Sequence, residues 1–205
     1  MKFIVLVFLA SSFQLFGQSV QLKNGDLLFV THQNKGLSSA INQVTQTSLH
    51  THFSHVALVE KTADRLWVLQ ATSPEGTVRV PLAAFVEETE SDGCRIVVYR
   101  IKLRWEPHFK RAIYRAKSIL GKPYNHSYIL NDSSYYCSQF VYYAFAKDSI
   151  FTMNPMTFKN PKTGEFNQKW VAYYQKLSFE IPEGKPGCNP NGMAASTKLK
   201  RIGEL

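Results

Sequence analysis

Two runs rich in β-branched and apolar residues, 53–60 and 65–71, flank the short turn Thr62-Ala63-Asp64. A connection that short allows only antiparallel pairing, because parallel strands need a crossover of a dozen or more residues. The chain is therefore committed to an antiparallel hairpin, and three further runs extend it into a sheet. Residues 26–30 follow the turn Asn24-Gly25, residues 77–80 follow Ser73-Pro74-Glu75-Gly76, and residues 94–101 read as a strong strand. Helical spacing marks other segments. Residues 36–45 carry Leu37, Ile41 and Val44 and read as a short helix or loop. Pro81 opens a short helix over 81–88 in the favoured first-turn position. Residues 105–120 put Phe109, Ile113, Ala116 and Leu120 on one face, and Gly121 and Pro123 stop the helix. Residues 125–135 read as a polar loop, 137–147 as a buried helix, and 166–177 as the last helix. From Ile181 onward Gly, Pro and Asn are frequent, and this tail is expected to wrap the surface. The fold class is α+β, an antiparallel sheet packed against helices.

A chain of 205 residues with 44% hydrophobic and 19% charged residues can build one real core. We expect a single domain over 18–205. Residues 1–17 carry Lys2, a short apolar run and then small or polar residues, the pattern of a cleaved signal peptide. The run falls far short of the roughly 20 residues of a membrane span. The protein is thus expected to be exported, periplasmic or secreted. The net charge of +9 favours an anionic polymer or membrane surface as a partner. Nucleic acid is not expected, because no recognition motif accompanies the charge. No Gly-rich phosphate loop is present, which leaves nucleotide binding without support.

Three cysteines stand at 94, 137 and 188, and an odd number leaves at least one thiol outside an intrachain disulfide. A Cys94–Cys188 disulfide would leave Cys137 free. Cys137 opens an apolar helix directly after a polar loop, where unpaired N–H groups and the helix dipole favour a thiolate. Such a position lowers a cysteine pKa from about 8.5 into the range of roughly 3.5–7.5. The same N–H groups suit the oxyanion of a tetrahedral intermediate. His55, at the start of a buried strand, can take the thiol proton and return it to a leaving group. Pairing about the 62–64 turn sets Gln70 directly opposite His55, with Cβ atoms about 4.5–5.5 Å apart. Gln70 can then orient the imidazole. Glu60 is the competing orienter, but alternation puts it on the other face of its strand.

Four segments, Asn24-Gly25-Asp26-Leu27-Leu28-Phe29, Phe53-Ser54-His55-Val56-Ala57-Leu58-Val59, Gly121-Lys122-Pro123-Tyr124-Asn125 and Tyr136-Cys137-Ser138-Gln139-Phe140-Val141, carry a resemblance. In content, order and spacing the chain resembles the permuted papain-like hydrolases related to the NlpC-type cell-wall peptidases, in their YiiX/YebB-like branch. The resemblance implies a circularly permuted papain-like fold with histidine ahead of cysteine. It implies Cys137 as nucleophile, His55 as base and Gln70 as the third polar residue. Tyr124, Ser54, Tyr136 and Ser138 are the expected substrate-binding residues. Relatives often carry Glu where this chain has Gln70, and Asp where it has Asn125.

The leading expectation is hydrolysis of an amide, in a cell-wall (peptidoglycan) peptide or other acyl-amide, through an acyl-enzyme. One alternative is a lipid or acyl-ester hydrolase or acyltransferase on the same fold. Another is a catalytically weak binding module, for which Gln70 is the only hint. His50, His52 and His55 form an H-x-H-x-x-H pattern, yet a regular strand turns His55 away from the other two. No metal and no cofactor are expected.

Overall fold

The computed structural model describes residues 20–31, 36–102 and 109–205. The expected signal peptide lies outside these residues, as does the start of the helix expected over 105–120. Six strands form one antiparallel sheet: β1 (Leu27–Thr31), β2 (Phe53–Lys61), β3 (Leu66–Thr72), β4 (Gly76–Pro81), β5 (Ile96–Ile101) and β8 (Leu199–Glu204). Their order across the sheet is β4-β3-β2-β1-β5-β8. A two-residue pair, β6 (Asn154–Pro155) and β7 (Pro186–Gly187), lies apart from it. The helices are α1 (Gly36–Val44), α2 (Leu82–Ser91), α3 (Phe109–Ser118), α4 (Cys137–Phe145), α5 (Gln168–Leu177) and α6 (Pro190–Ala194). Pro81 sits just ahead of α2 as its N-cap rather than inside it.

Alternation along the strands sorts side chains into two cores, as a sheet buried on both faces requires. Leu27, Phe29, Val56, Leu58, Leu69 and Val97 face α3 and α4. Leu28, Val30, Ala57, Val59, Val68 and Val98 pack with Phe85 of α2. A third, smaller cluster joins Ala40 of α1 to Trp170 and Tyr174 of α5.

The 53–60 and 65–71 runs do form a hairpin, but its register is displaced from the expected one. Thr62 N–H donates to the Arg65 carbonyl at 3.0 Å, so the loop takes in Arg65 as well as residues 62–64. Leu58 then faces Leu69 and Val59 faces Val68. Carried on, this register sets Ala57 opposite Gln70, and His55 two pairs further along. A slip of two residues keeps every side chain on its face, so His55 and Gln70 remain diagonal neighbours.

The tail does not wrap the surface. Strand β8 pairs with β5 as the outer strand of the main sheet. Asn191 of α6 is fully buried, and its side chain ties three segments together. Its Oδ1 accepts from Phe53 N–H at 2.8 Å and Thr51 Oγ1 at 3.0 Å. Its Nδ2 donates to Thr45 Oγ1 at 2.8 Å and Asn42 Oδ1 at 3.3 Å. The tail is thereby part of the core beside the start of β2.

Candidate active site

Strand β2 is irregular where His55 sits. Val30 of β1 pairs with His55 and Thr31 with Phe53, so Ser54 is an extra residue with no opposite number. A bulge of this kind bends the strand and re-aims the side chain beside it. Phe53 and Val56 both enter the core under α4, while Ser54 and His55 turn elsewhere. The His55 ring lies 6.4 Å from the Phe85 ring, and its Nε2 is 2.7 Å from Gln70 Oε1. An amide oxygen can only accept, so Nε2 carries the proton and Nδ1 is the basic nitrogen. Glu60 is not the orienter. It bonds Arg79 at 2.6 Å and Lys117 at 3.0 Å. Burial pushes its carboxyl up, but the two cations outweigh that and hold it below its usual value.

Cys137 is the first residue of α4 and is buried. The helix start is fastened through Gln139. Its Nε2 donates to the Asn131 carbonyl at 2.9 Å, and its Oε1 accepts from Asn125 Nδ2 at 3.2 Å and Tyr136 N–H at 3.4 Å. Asn125 also donates to the Ile129 carbonyl and accepts from Ser127, so it braces the 125–135 loop. Helix α4 packs on β2, and the backbone of Val56, the residue after His55, acts on the Cys137 thiol. Its acidity departs from expectation: burial pushes the pKa up to about 11, against the lowering effect of the Val56 and Ser138 groups. The helix end acts in the expected direction, but desolvation of a buried sulfur is larger.

Tyr124 belongs to a chain of phenols. Tyr124 neighbours Tyr128, and the Tyr128 and Tyr173 rings lie 6.2 Å apart. Tyr173 donates to the His126 carbonyl at 2.8 Å. Burial raises the pKa of Tyr124 well above its ordinary value. The loop bearing it is pinned to β4: Thr77 N–H donates to the Lys122 carbonyl, and Gly121 N–H to the Thr77 carbonyl, both at 2.8 Å. Gly76 permits this contact, since a Cβ there would lie 2.1 Å from the Lys122 oxygen.

Ser138 and Tyr136 hold the tail against the helix start. Ser138 Oγ donates to the Cys188 carbonyl at 2.9 Å, and Cys188 N–H donates to Tyr136 Oη at 3.2 Å. Cys188 does not pair with Cys94. Cys94 packs in the α2-side core, whereas Cys188 lies in the cavity with Cys137. Burial pushes the Cys188 thiol up to about 12. Sequence reasoning missed Cys188, Asn191 and the Tyr128–Tyr173 pair. The unmatched third cysteine was a signal for the first; the other two are long-range contacts with no local pattern.

A cavity of about 410 Å³ opens beside Cys137, and one of about 340 Å³ beside His55. Ser54, Tyr124 and Ile41 line both. The three-histidine pattern does not converge. His50 and His52 line a groove away from His55, and His52 Nδ1 is 3.5 Å from Gln46. Among the described residues no group of three or more His, Cys, Asp or Glu is arranged to hold a metal.

A buried cysteine starting a helix that packs on an antiparallel sheet, with a histidine on the strand it contacts, is the arrangement of a papain-like hydrolase, here with histidine first in the chain. The sequence model of the permuted papain-like amidase enzymes, the YaeF/YiiX family, matches residues 21–203, and the chain belongs to that family. It is accordingly a cysteine amidase by class. A crystal structure described as the metalloprotein yiiX from Escherichia coli O157:H7 shares the fold. Its TM-score is 0.69 at 20% identity, over 89% of this chain and 97% of that one. No curated protein sequence matches.

Proposed function

We propose that this protein is exported and hydrolyses an amide of the cell envelope, with Cys137 as nucleophile, His55 as base and acid, and Gln70 as the residue that positions the imidazole. The observation that carries the reading is that Cys137 opens a helix packed on β2, the strand on which the bulge at Ser54 re-aims His55 and Gln70 holds its Nε2 at 2.7 Å. A thiol with a raised pKa is neutral at pH 7, so proton transfer to His55 Nδ1 accompanies attack rather than preceding it. Sulfur adds to the carbonyl, and N–H groups at the start of α4 receive the oxyanion. The C–N bond breaks as His55 gives its proton to the amine. Water then attacks the thioester, with His55 taking its proton, and the carboxylic acid leaves. Tyr124 and Ser54 offer hydroxyls to the substrate. Tyr136 and Ser138 act on substrate through the strap at Cys188 that they hold.

A cell-wall peptide agrees with the signal-like N-terminus and the charge of +9. An acyl-amide is favoured by a different observation, the apolar side chains Val44, Met156, Phe158, Trp170 and Met193 within the mixed lining of the cavity beside Cys137. The test measures amine release from peptidoglycan tripeptides and from N-acyl amides by the parent and by Cys137→Ala. Release by the parent that Cys137→Ala abolishes is the expected result. Equal release by both would remove Cys137 as nucleophile. Undiminished ligand binding without release by the parent would make the protein a binding module.

A further inference from the structure

Helix α3 has two unlike faces. Ala112, Ile113 and Ala116 are buried, and α4 is the helix it packs on. The other face is basic. The residues of α3 include Lys110, Arg111, Arg115 and Lys117 and neither Asp nor Glu. Residues three and four apart on a helix are neighbours, so Lys110, Tyr114, Lys117 and Ser118 share one side, and all of them are exposed. Tyr114 lies in the middle of this row and is 74% exposed. Beyond the helix end the exposed Lys122 continues the positive charge.

Neighbouring carboxylates do not cancel that charge. Arg111 pairs with Asp148 at 2.6 Å, and Lys117 shares Glu60 with Arg79. Among the described residues Lys110, Arg115 and Lys122 have no carboxylate partner. The Arg115 guanidinium lies 4.8 Å from the centre of the Tyr143 ring instead. A phenol set among cations suits the boundary between a bilayer and water. Tyr puts an apolar ring and a polar tip at the level of the headgroups, and each nearby Lys or Arg is drawn to anionic lipid. A long anionic polymer would be better held in a groove. No α3 residue lines the cavity beside Cys137, the one beside His55 or the His50–His52 groove. Among the described residues no helix is long and apolar enough to cross a membrane. Since α3 buries its apolar side in the protein, the contact is one of headgroups with the exposed row.

We infer that the α3 face, Lys110, Tyr114 and Lys117 together with Lys122, docks the protein reversibly on an anionic phospholipid surface. Tyr124 follows Lys122 closely and lines both cavities, so a docked Lys122 keeps the loop that reaches the site beside the headgroups. This surface goes beyond the amidase reading and does not depend on it.

The experiment is co-sedimentation of the full chain with vesicles of phosphatidylcholine alone and of phosphatidylcholine with about one-third phosphatidylglycerol. Expected is binding to the anionic vesicles only, lost at about 0.5 M salt, where screening is strong. Lys110→Gln combined with Lys122→Gln should weaken binding roughly 25-fold, about fivefold for each lysine. Tyr114→Ala should weaken it while leaving the salt dependence unchanged, because the ring is uncharged. Lys176→Gln combined with Lys185→Gln removes two exposed charges elsewhere and should change little. Parent and variants share one N-terminus, so its apolar run cancels in the comparison. Equal weakening by the two lysine pairs would overturn the docking face in favour of net charge alone. Equal binding of the parent to both vesicle types, or binding undiminished by the α3 substitutions, would overturn it as well. So would failure to bind either vesicle, and retention on immobilised polyglutamate in that case would point to an anionic polymer as the partner.

Discussion

His55 and Gln70 lie 15 residues apart on one hairpin, whereas Ser138 reaches 50 residues along the chain to fasten Cys188. The histidine half of the site is thus built by strand alternation and one loop. The cysteine half is built by contacts between a helix start, the 125–135 loop and the tail. The difference separates what each half contributes. Residues around His55 can change the chemistry while the fold stays intact. Residues around Cys137 couple chemistry to stability, because the groups that shape the cavity also hold the core together.

The largest effect expected is on the nucleophile. Cys137→Ala should lower amide hydrolysis by roughly 10⁴-fold or more, and His55→Ala by about 10²–10⁴-fold, both read from initial rates. A His55→Ala loss below tenfold would break the comparison by removing one half from the chemistry. Next is Asn191→Ala, which leaves the buried Phe53 N–H and three side chains without their partner. Urea unfolding should show a loss of roughly 3 kcal/mol. A loss no greater than that of Thr62→Ala, in the exposed hairpin loop, would show that the tail is not structural. Gln70→Ala should reduce kcat about tenfold, less than the loss of the base itself, with the urea midpoint little changed. A fall in stability matching the fall in kcat would mean that the two halves are not separable. The smallest effect concerns alkylation of Cys137 by iodoacetamide, read by peptide mass spectrometry. With its pKa raised to about 11, the thiol is protonated below that pH. The rate should be slow near pH 7 and climb about tenfold per pH unit toward pH 11. A plateau already reached below pH 7.5 would instead mean that the helix end outweighs burial.

The same contrast explains what could be read in the sequence. Period-two alternation over 53–60 and 65–71 was enough to bring His55 to Gln70 and to set Glu60 apart. The register was displaced because Arg65 belongs to the loop, a matter of turn geometry rather than of hydrophobic pattern. The helix at Cys137 was legible from its apolar spacing and the polar loop before it. Its thiol acidity was not, since the sign depends on how much protein covers the sulfur. Strand β8 was invisible for a related reason: Leu-Lys-Arg-Ile-Gly-Glu has little alternation, and its basic residues suit an outer strand that must resist further pairing. Its partner β5 is about a hundred residues earlier in the chain, beyond the reach of any local pattern. The bulge at Ser54 was equally silent, as it exists only by comparison with β1.

That the last strand and α6 complete both the sheet and the cavity has a bearing on timing. A polypeptide emerging from its N-terminus acquires the hairpin first and the helix bearing the thiol later. Until residues 186–204 follow, the cavity lacks Cys188, Asn189 and Met193, and the sheet lacks its outer strand. The wall of the cavity beside the thiol is therefore complete only when the tail has docked, in whatever order the other segments fold.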